Sequence, residues 1–489
     1  MNNRKLHYLA LIGALFLGAI LRLGNLDSKF LWLDEVITAI FSFGGNYHNV
    51  PTEIVIPLER LQQIFTFQPE VGCDRIAQNI ALQSTHPPLF FCLLHSWFGL
   101  VNPLAPNWVW TLRAFSVLWG VSAIAAIYLL NTIAFSPWAG LIAAVMMAVS
   151  PFGVYLSQEA RHYTLPILLI TLALLGLILI GQDIVSKRFR ASIWIFWTVV
   201  NIIGLYVHYF FILAILAEVV TLLGVMYGRH NLFRYGVAFT LAIATIVISF
   251  IPWLPVLISH FTRPETNWIP SPQSIAPLYQ ILAAWLLTIA ALPVENQPIA
   301  IAILSGLGVV IFSGWVLWLS FKGIIKLWQL SSINLSVVTL ASFTIVVLLE
   351  FLAIVYFLGK DITITPRYNF VYYPAFLALV AAGLNKSLER STQTFSLIFL
   401  GSLLSCLLVI FNLAFQKPYN PQQVAENINF EPTTPLMVVV GYKDYQNVAL
   451  GLSFALALEK VRDSGAIFFW SDRLMVTNLY GKNSLFYRP

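Results

Sequence analysis

The stretch "HYLALIGALFLGAILRLGNLDSKFLWLDEV", His7 to Val36, decides the class of fold this chain of 489 residues adopts. It begins with an apolar run long enough to cross a bilayer, which takes about 20 helical residues. Arg4 and Lys5 precede the run, and no small-residue cleavage pattern follows it. It therefore reads as a retained first span rather than a removed signal. Two adjacent acids, Asp34 and Glu35, then stand inside a second apolar run.

The rest of the chain follows this beginning. It is 59% hydrophobic and 10% charged, where a soluble domain carries about a quarter charged residues. About eleven segments are able to span: 7–26, 113–132, 138–156, 163–181, 192–210, 212–228, 236–257, 298–320, 336–357, 370–385 and 394–414. Two further apolar runs, 88–104 and 276–292, are shorter or broken by proline. If neither spans and the N-terminus is cytoplasmic, the inside loops hold the basic clusters, among them Lys187, Arg188 and Arg190, and Lys322 with Lys326. The outside loops then hold Asp27, Asp34, Glu35, Glu53, Glu59, Glu70 and Asp74. This follows the positive-inside rule. It predicts a multi-pass plasma-membrane protein, with 88–104 and 276–292 lying along the outer interface.

Two extramembrane pieces have substance. The first loop, 27–112, is too long for a connector. The tail 416–489 alternates helix and strand patterns, "NPQQVAENI", "LMVVVGY", "NVALGLSFALALEK" and "AIFFWS", and predicts a small α/β domain outside the membrane. The expected division is a membrane domain 1–415, including that loop, and a tail domain 416–489. No basic face of the kind nucleic acid requires is visible, and three cysteines make no disulfide framework.

On this topology the unusual polar groups gather on the extracytoplasmic side: "LDE", "STHPPLFF" (84–91), "SQEARHY" (157–163), "YVHYF" (206–210) and "TPRYNF" (365–370). Asp34 and Glu35 point about 100° apart on a helix, so only one can face a reacting hydroxyl as base. The plainer reading is a pair of acids at the positive end of an interfacial helix. His86 could donate to a phosphate oxygen or ligate a cation, or simply bond a loop carbonyl. Arg161 suits two phosphate oxygens, with Glu159 either orienting it or pairing with it locally. Arg367 and Tyr368 open the tenth span from outside and could bind the same phosphate or merely anchor at the interface. Glu218, in the middle of the sixth span, is an expensive placement.

This set suits a sugar carried on a membrane lipid phosphate. Asp34 would take the proton of the acceptor, and Arg161, Arg367, His86 or a bound cation would stabilise the leaving phosphate. One base and one stabilised leaving group imply a single displacement that inverts the anomeric carbon. No glycine-rich phosphate loop points to a nucleotide donor.

The segments "LWLDEVITA", "THPPLFFCLLHSWFGL", "LRAFSVLWG", "VSPFGVYLSQEARHYTL", "LYVHYFFILA" and "PRYNFVYYPAFLALVAAGL" together resemble, in order, the family 39 glycosyltransferases. These are GT-C fold enzymes of the protein mannosyltransferase and aminoarabinose transferase type, and the resemblance is to their bacterial branch. It covers about residues 7–385. It implies a polyprenyl-phosphate sugar donor, extracytoplasmic transfer of a hexose or pentose, and an acidic catalytic residue in the first loop. Asp34 would be the base with Glu35 beside it, and His86 the basic group before the prolines. His208 would be the histidine between the fifth and sixth spans. Thr85 stands where some relatives have a metal-ligating carboxylate, so a divalent cation beside His208 would need Glu35 or Glu159 in its place. The acceptor, whether glycan, lipid or protein, is not named by any residue. A transporter or flippase of a lipid-linked glycan is the alternative, and it would favour deep charges such as Glu218.

Overall fold

The structure, a computed structural model, describes residues 3–472 apart from 106, 228–232, 264, 266–267, 331–332, 389–390, 418, 430, 432 and 463–464. The end of the expected tail domain, 473–489, thus lies outside the described residues. Packing divides the chain into two compact units. One combines residues 1–29 with 84–416, and the other combines 30–83 with the tail from 417.

In chain order, α1 (Asn3–Leu23) precedes α2 (Leu33–Ser42) and α3 (Cys73–Gln83), which belong to the second unit. The membrane unit continues with α4 (Leu89–Val101), α5 (Trp108–Ala134), α6 (Pro137–Ala148), α7 (Pro151–Ser157), α8 (Thr164–Val185), α9 (Ala191–Val207) and α10 (Phe211–Met226). After these come α11 (Phe233–Phe250), α12 (Leu254–Phe261), α13 (Ala276–Leu287), α14 (Ile299–Trp328), α15 (Asn334–Leu358), α16 (Tyr373–Ser387) and α17 (Thr392–Ile410). The tail adds α18 (Pro421–Ile428) and α19 (Tyr445–Glu459).

Seven described helical stretches are long and apolar enough to cross a membrane, and the kinked pair α6 and α7, bent by 57°, makes an eighth. The spans expected near 192–210, 212–228 and 370–385 are helices of 17, 16 and 15 residues. At 1.5 Å per residue these are somewhat short for a 30 Å core. Helices α4 and α13, with 13 and 12 residues, are too short to cross.

The kink has a clear cause. Pro151 opens α7 and has no amide to donate back into α6. The carbonyls of Met147 and Ala148 at the end of α6 would be orphaned, which a bilayer does not tolerate. Arg22 of α1 fills them, with Nη2 to Met147 O at 2.9 Å and Nη1 to Ala148 O at 3.0 Å. Its Nε donates to Ser157 Oγ at 3.1 Å, the first residue of "SQEARHY". Elsewhere the bundle closes through small residues. A Cβ on Gly323 of α14 would collide with the backbone of Gly383 on α16, so the two helices meet main chain to main chain.

The second unit has a three-stranded sheet built from β1 (Val55–Pro57), β2 (Leu436–Gly441) and β3 (Ala466–Ser471), in the order β1-β3-β2. β2 runs parallel to β3, and β1 runs antiparallel to it with Ile56 opposite Phe468. Helix α19 is capped by Asp444, whose side chain accepts the Asn447 amide at 3.0 Å, and packs on α2, while its Ser453 Oγ donates to the carbonyl of Leu31, just before α2, at 2.6 Å. The tail is α/β as its patterning predicts, but it is completed by a strand from the first loop.

Candidate active site

The loops carrying His86, Arg161, His208 and Arg367 meet in one cluster of the membrane unit. The turn between α7 and α8 is fixed from several sides. Arg22 holds Ser157, while Gln158 donates to Gly24 O at 2.7 Å and accepts from Lys29 Nζ at 2.9 Å. Ser116 Oγ donates to the Arg161 carbonyl at 3.1 Å. The Arg161 side chain is 2% exposed, and its Nη2 lies 3.2 Å from His86 Nε2.

A guanidinium can only donate, so His86 Nε2 must be the acceptor. The proton of the neutral ring is then on Nδ1, which donates to Ser84 Oγ at 3.0 Å. Both nitrogens are occupied, and His86 acts on the site by aiming Arg161. Ser84 is tied in turn, its carbonyl accepting from Arg263 Nη1 at 2.7 Å.

His208 sits where α9 ends, with an extended backbone, and its Nδ1 accepts the Phe210 amide at 3.0 Å just before α10. That amide is one of the donors a helix start leaves without a partner. The ring of His162, 1% exposed, lies 4.6 Å from that of His208 and 4.8 Å from that of His86. Among the described residues neither nitrogen of His162 finds a hydrogen-bond partner. Phe370 lies 4.7 Å from the His208 ring and 5.9 Å from Tyr163, and Tyr368 lies 4.8 Å from Phe210. These contacts bring the Arg367–Tyr368 segment to the same cluster. The Arg367 guanidinium lies 5.8 Å from the rings of Trp268 and Tyr368. Trp253 Nε1 donates to Tyr209 Oη at 2.9 Å, and that hydroxyl is hydrogen-bonded to His260 Nδ1 at 2.9 Å.

The electrostatics follow. Burial, then the charge of Arg161, holds His86 and His162 well below the usual imidazole range. The same two causes push His208 down to about 3. The cluster thus joins permanently charged arginines to imidazoles that stay neutral at physiological pH.

Glu159 is 5% exposed and shares a side-chain hydrogen bond with Tyr155. A cation held by Glu159 and His208 does not fit this donor set. The Nδ1 lone pair of His208 is used by an amide, so its Nε2 carries the proton, and the Nε2 lone pair of His86 faces Arg161. Among the described residues no group of three or more His, Cys, Asp or Glu is placed to hold a metal ion.

Asp34 and Glu35 lie in the second unit, in the first turn of α2, where a helix favours carboxylates. Glu35 is 1% exposed and Asp34 is half-buried. The mid-span Glu218 is fully satisfied at one oxygen, where Oε2 accepts from Trp197 Nε1 at 2.6 Å and Asn201 Nδ2 at 3.0 Å. Three residues of the cluster escape a reading of the sequence by motif, namely His162, His260 and Arg263. His162 stands inside the quoted "SQEARHY" and could have been found there, whereas Arg263 follows a helix in an unremarkable loop.

Residues 85–255 match the family model described as dolichyl-phosphate-mannose-protein mannosyltransferase. The fold is similar to that of ArnT from Cupriavidus metallidurans bound to undecaprenyl phosphate, at a TM-score of 0.54 and 12% identity, covering 91% of this chain and 84% of that one. ArnT in the apo state gives 0.56 at 12% identity, covering 93% and 85%. The apo oligosaccharyltransferase of Archaeoglobus fulgidus gives 0.52 at 14% identity, covering 92% of this chain and 64% of that one. No curated protein sequence is similar enough to match. The chain is a multi-pass membrane protein with the GT-C fold, and its residues 85–255 are similar to the dolichyl-phosphate-mannose-protein mannosyltransferase family model.

Proposed function

We propose that this protein is an integral-membrane glycosyltransferase that moves a sugar from a polyprenyl-phosphate donor to an acceptor outside the cytoplasm. The observation that carries the reading is Arg161, buried, aimed by His86 and surrounded by neutral imidazoles at the end of a membrane bundle. A lasting positive charge in a dry setting suits the phosphate of a lipid-linked donor and the charge that grows on it as it leaves. Arg367 would share that charge. ArnT, which has the same fold, has been solved with undecaprenyl phosphate, a lipid of this class.

In the proposed step Asp34 takes the proton of the acceptor hydroxyl. The acceptor oxygen attacks the anomeric carbon as the bond from that carbon to the phosphate oxygen breaks. The lipid phosphate keeps the electron pair, and the sugar inverts. The resemblance in "LWLDE" supports Asp34 in this role, with Glu35 beside it. The excess of bases in the alternate loops supports the extracytoplasmic face.

The test is turnover of a panel of polyprenyl-phosphate sugars by protein in nanodiscs, read as release of free lipid phosphate, for wild type and Asp34→Asn. Loss of two to four orders of magnitude with donor binding retained is expected of a general base. Equal turnover in both proteins would remove Asp34 from the mechanism. No release from any donor would remove the reading itself.

A further inference from the structure

We propose that His208 is a hydrogen-bond donor to the phosphate of the lipid-linked substrate, presenting Nε2–H to it, and is not a metal ligand. The inference rests on the glycosyl-transfer reading and names how the site grips its phosphate.

The argument begins in the backbone. The sequence "YVHYF" ends α9 and begins α10 with a short break at His208. The Phe210 amide, next to the start of α10, donates to His208 Nδ1 at 3.0 Å. The ring therefore takes up the amide of the N-cap residue, one of the donors a helix start leaves without an intrahelical partner. An imidazole that accepts at Nδ1 and is neutral must carry its proton on Nε2. Metal ligation through Nε2 would need the opposite tautomer, and that tautomer would set two N–H groups against each other at Nδ1.

Nε2–H is then a donor in want of an acceptor. His208 is 7% exposed, and no described protein group accepts from its Nε2. Nε2 is not among the fully buried unpartnered atoms of the cluster, so it keeps access to an acceptor that arrives from outside the protein. The surroundings say which kind. The His208 ring is packed by Tyr163 at 5.9 Å and Phe370 at 4.7 Å, from the two loops that carry Arg161 and Arg367. The charge of Arg161 acts directly on the ring. Donors and fixed positive charge with no ionised carboxylate hydrogen-bonded to the ring select an oxyanion, and at a bundle end in a membrane protein that is a phosphate ester. His208 differs here from His86, whose two nitrogens are both engaged within the protein.

The experiment measures binding of undecaprenyl phosphate to the full-length protein in nanodiscs, with and without EDTA, for wild type, His208→Ala and His208→Gln. Inorganic phosphate serves as competitor, separating recognition of the lipid ester from recognition of any phosphate. Removing a bond to a charged group weakens binding roughly tenfold to a hundredfold. That loss is expected in His208→Ala, with most of the affinity returned in His208→Gln, whose amide nitrogen reaches the same place as Nε2. Chelation is expected to change nothing in the wild type. In parallel, ¹⁵N spectra of histidine-labelled protein, with His208 assigned by difference from His208→Ala, should show a neutral ring protonated at Nε2 whose N–H signal moves on adding the lipid phosphate.

Wild-type binding that is lost with EDTA and restored by Mn²⁺ would overturn the proposal, as would His208→Ala binding like wild type or a ring protonated at Nδ1. Failure of the broader reading looks different, with no lipid phosphate bound by any of the three proteins and no sugar released from any donor.

Discussion

The Arg161 guanidinium donates to His86 Nε2 across 3.2 Å, and this one contact turns a histidine expected to bind phosphate into the acceptor that aims the arginine. His86→Ala should then weaken undecaprenyl phosphate binding about tenfold, or ~1.4 kcal/mol. His86→Gln, whose side-chain oxygen can accept from Arg161, should restore most of it. A purely structural role would show as equal loss in both variants, with a lower melting temperature. Arg161→Lys should lose more than His86→Ala, because an ammonium cannot bond two phosphate oxygens in parallel.

Arg22 should be worth more to stability than to binding. Arg22→Leu leaves the carbonyls of Met147 and Ala148 without donors in a buried setting. Each such group costs about 1–3 kcal/mol. A drop of several kcal/mol is expected by thermal unfolding in detergent, with Arg22→Lys intermediate. A variant as stable as wild type would mean that the kink between α6 and α7 finds other partners.

Glu218 offers a test between enzyme and transporter. Trp197 and Asn201 both donate to its Oε2, and a glutamine oxygen can accept both bonds. Glu218→Gln should therefore keep stability within about 1 kcal/mol and keep transfer activity, whereas Glu218→Leu should cost roughly 2–4 kcal/mol by leaving two buried donors unpaired. Loss of function in a stable Glu218→Gln would favour the transport reading, in which a deep carboxylate titrates.

Three histidines of the cluster, His86, His162 and His208, set a pH dependence. Each is held below the ordinary value of 6.5 when folded, His208 down to about 3. Below pH 6.5 the unfolded chain takes up protons at these positions and the folded chain does not, so the stability they contribute is present above that pH and falls as pH drops. A group that stays neutral when folded loses roughly 1.4 kcal/mol per pH unit in that range. Melting temperature should decline steeply from pH 6.5 to 5 in the wild type, and less steeply in His162→Phe. Parallel declines in both would show that His162 is not neutral in the folded protein.

Much of this protein is legible in its sequence, for a reason specific to membranes. Lipid offers no hydrogen bonds, so spans must be long apolar helices, and their run lengths and flanking charges can be counted directly. The same constraint pushes polar chemistry into the loops. That is why "SQEARHY", "YVHYF" and "TPRYNF" stand out in the order of residues alone, and why Arg161, His208 and Arg367 do lie in one cluster. The alternating tail also announces its strands and helices. What the sequence leaves open depends on partners far along the chain. Arg22 reads as an ordinary flanking cation until the broken helix it repairs, more than a hundred residues away, is placed beside it. The three-residue strand Val55–Pro57 has too little pattern to announce itself, and only β3 of the tail gives it a register. Above all, a histidine has two possible neutral forms, and composition cannot choose between them. The tertiary structure does, by giving His86 an arginine at Nε2 and His208 a backbone amide at Nδ1. Each tautomer is set by what meets the ring in space.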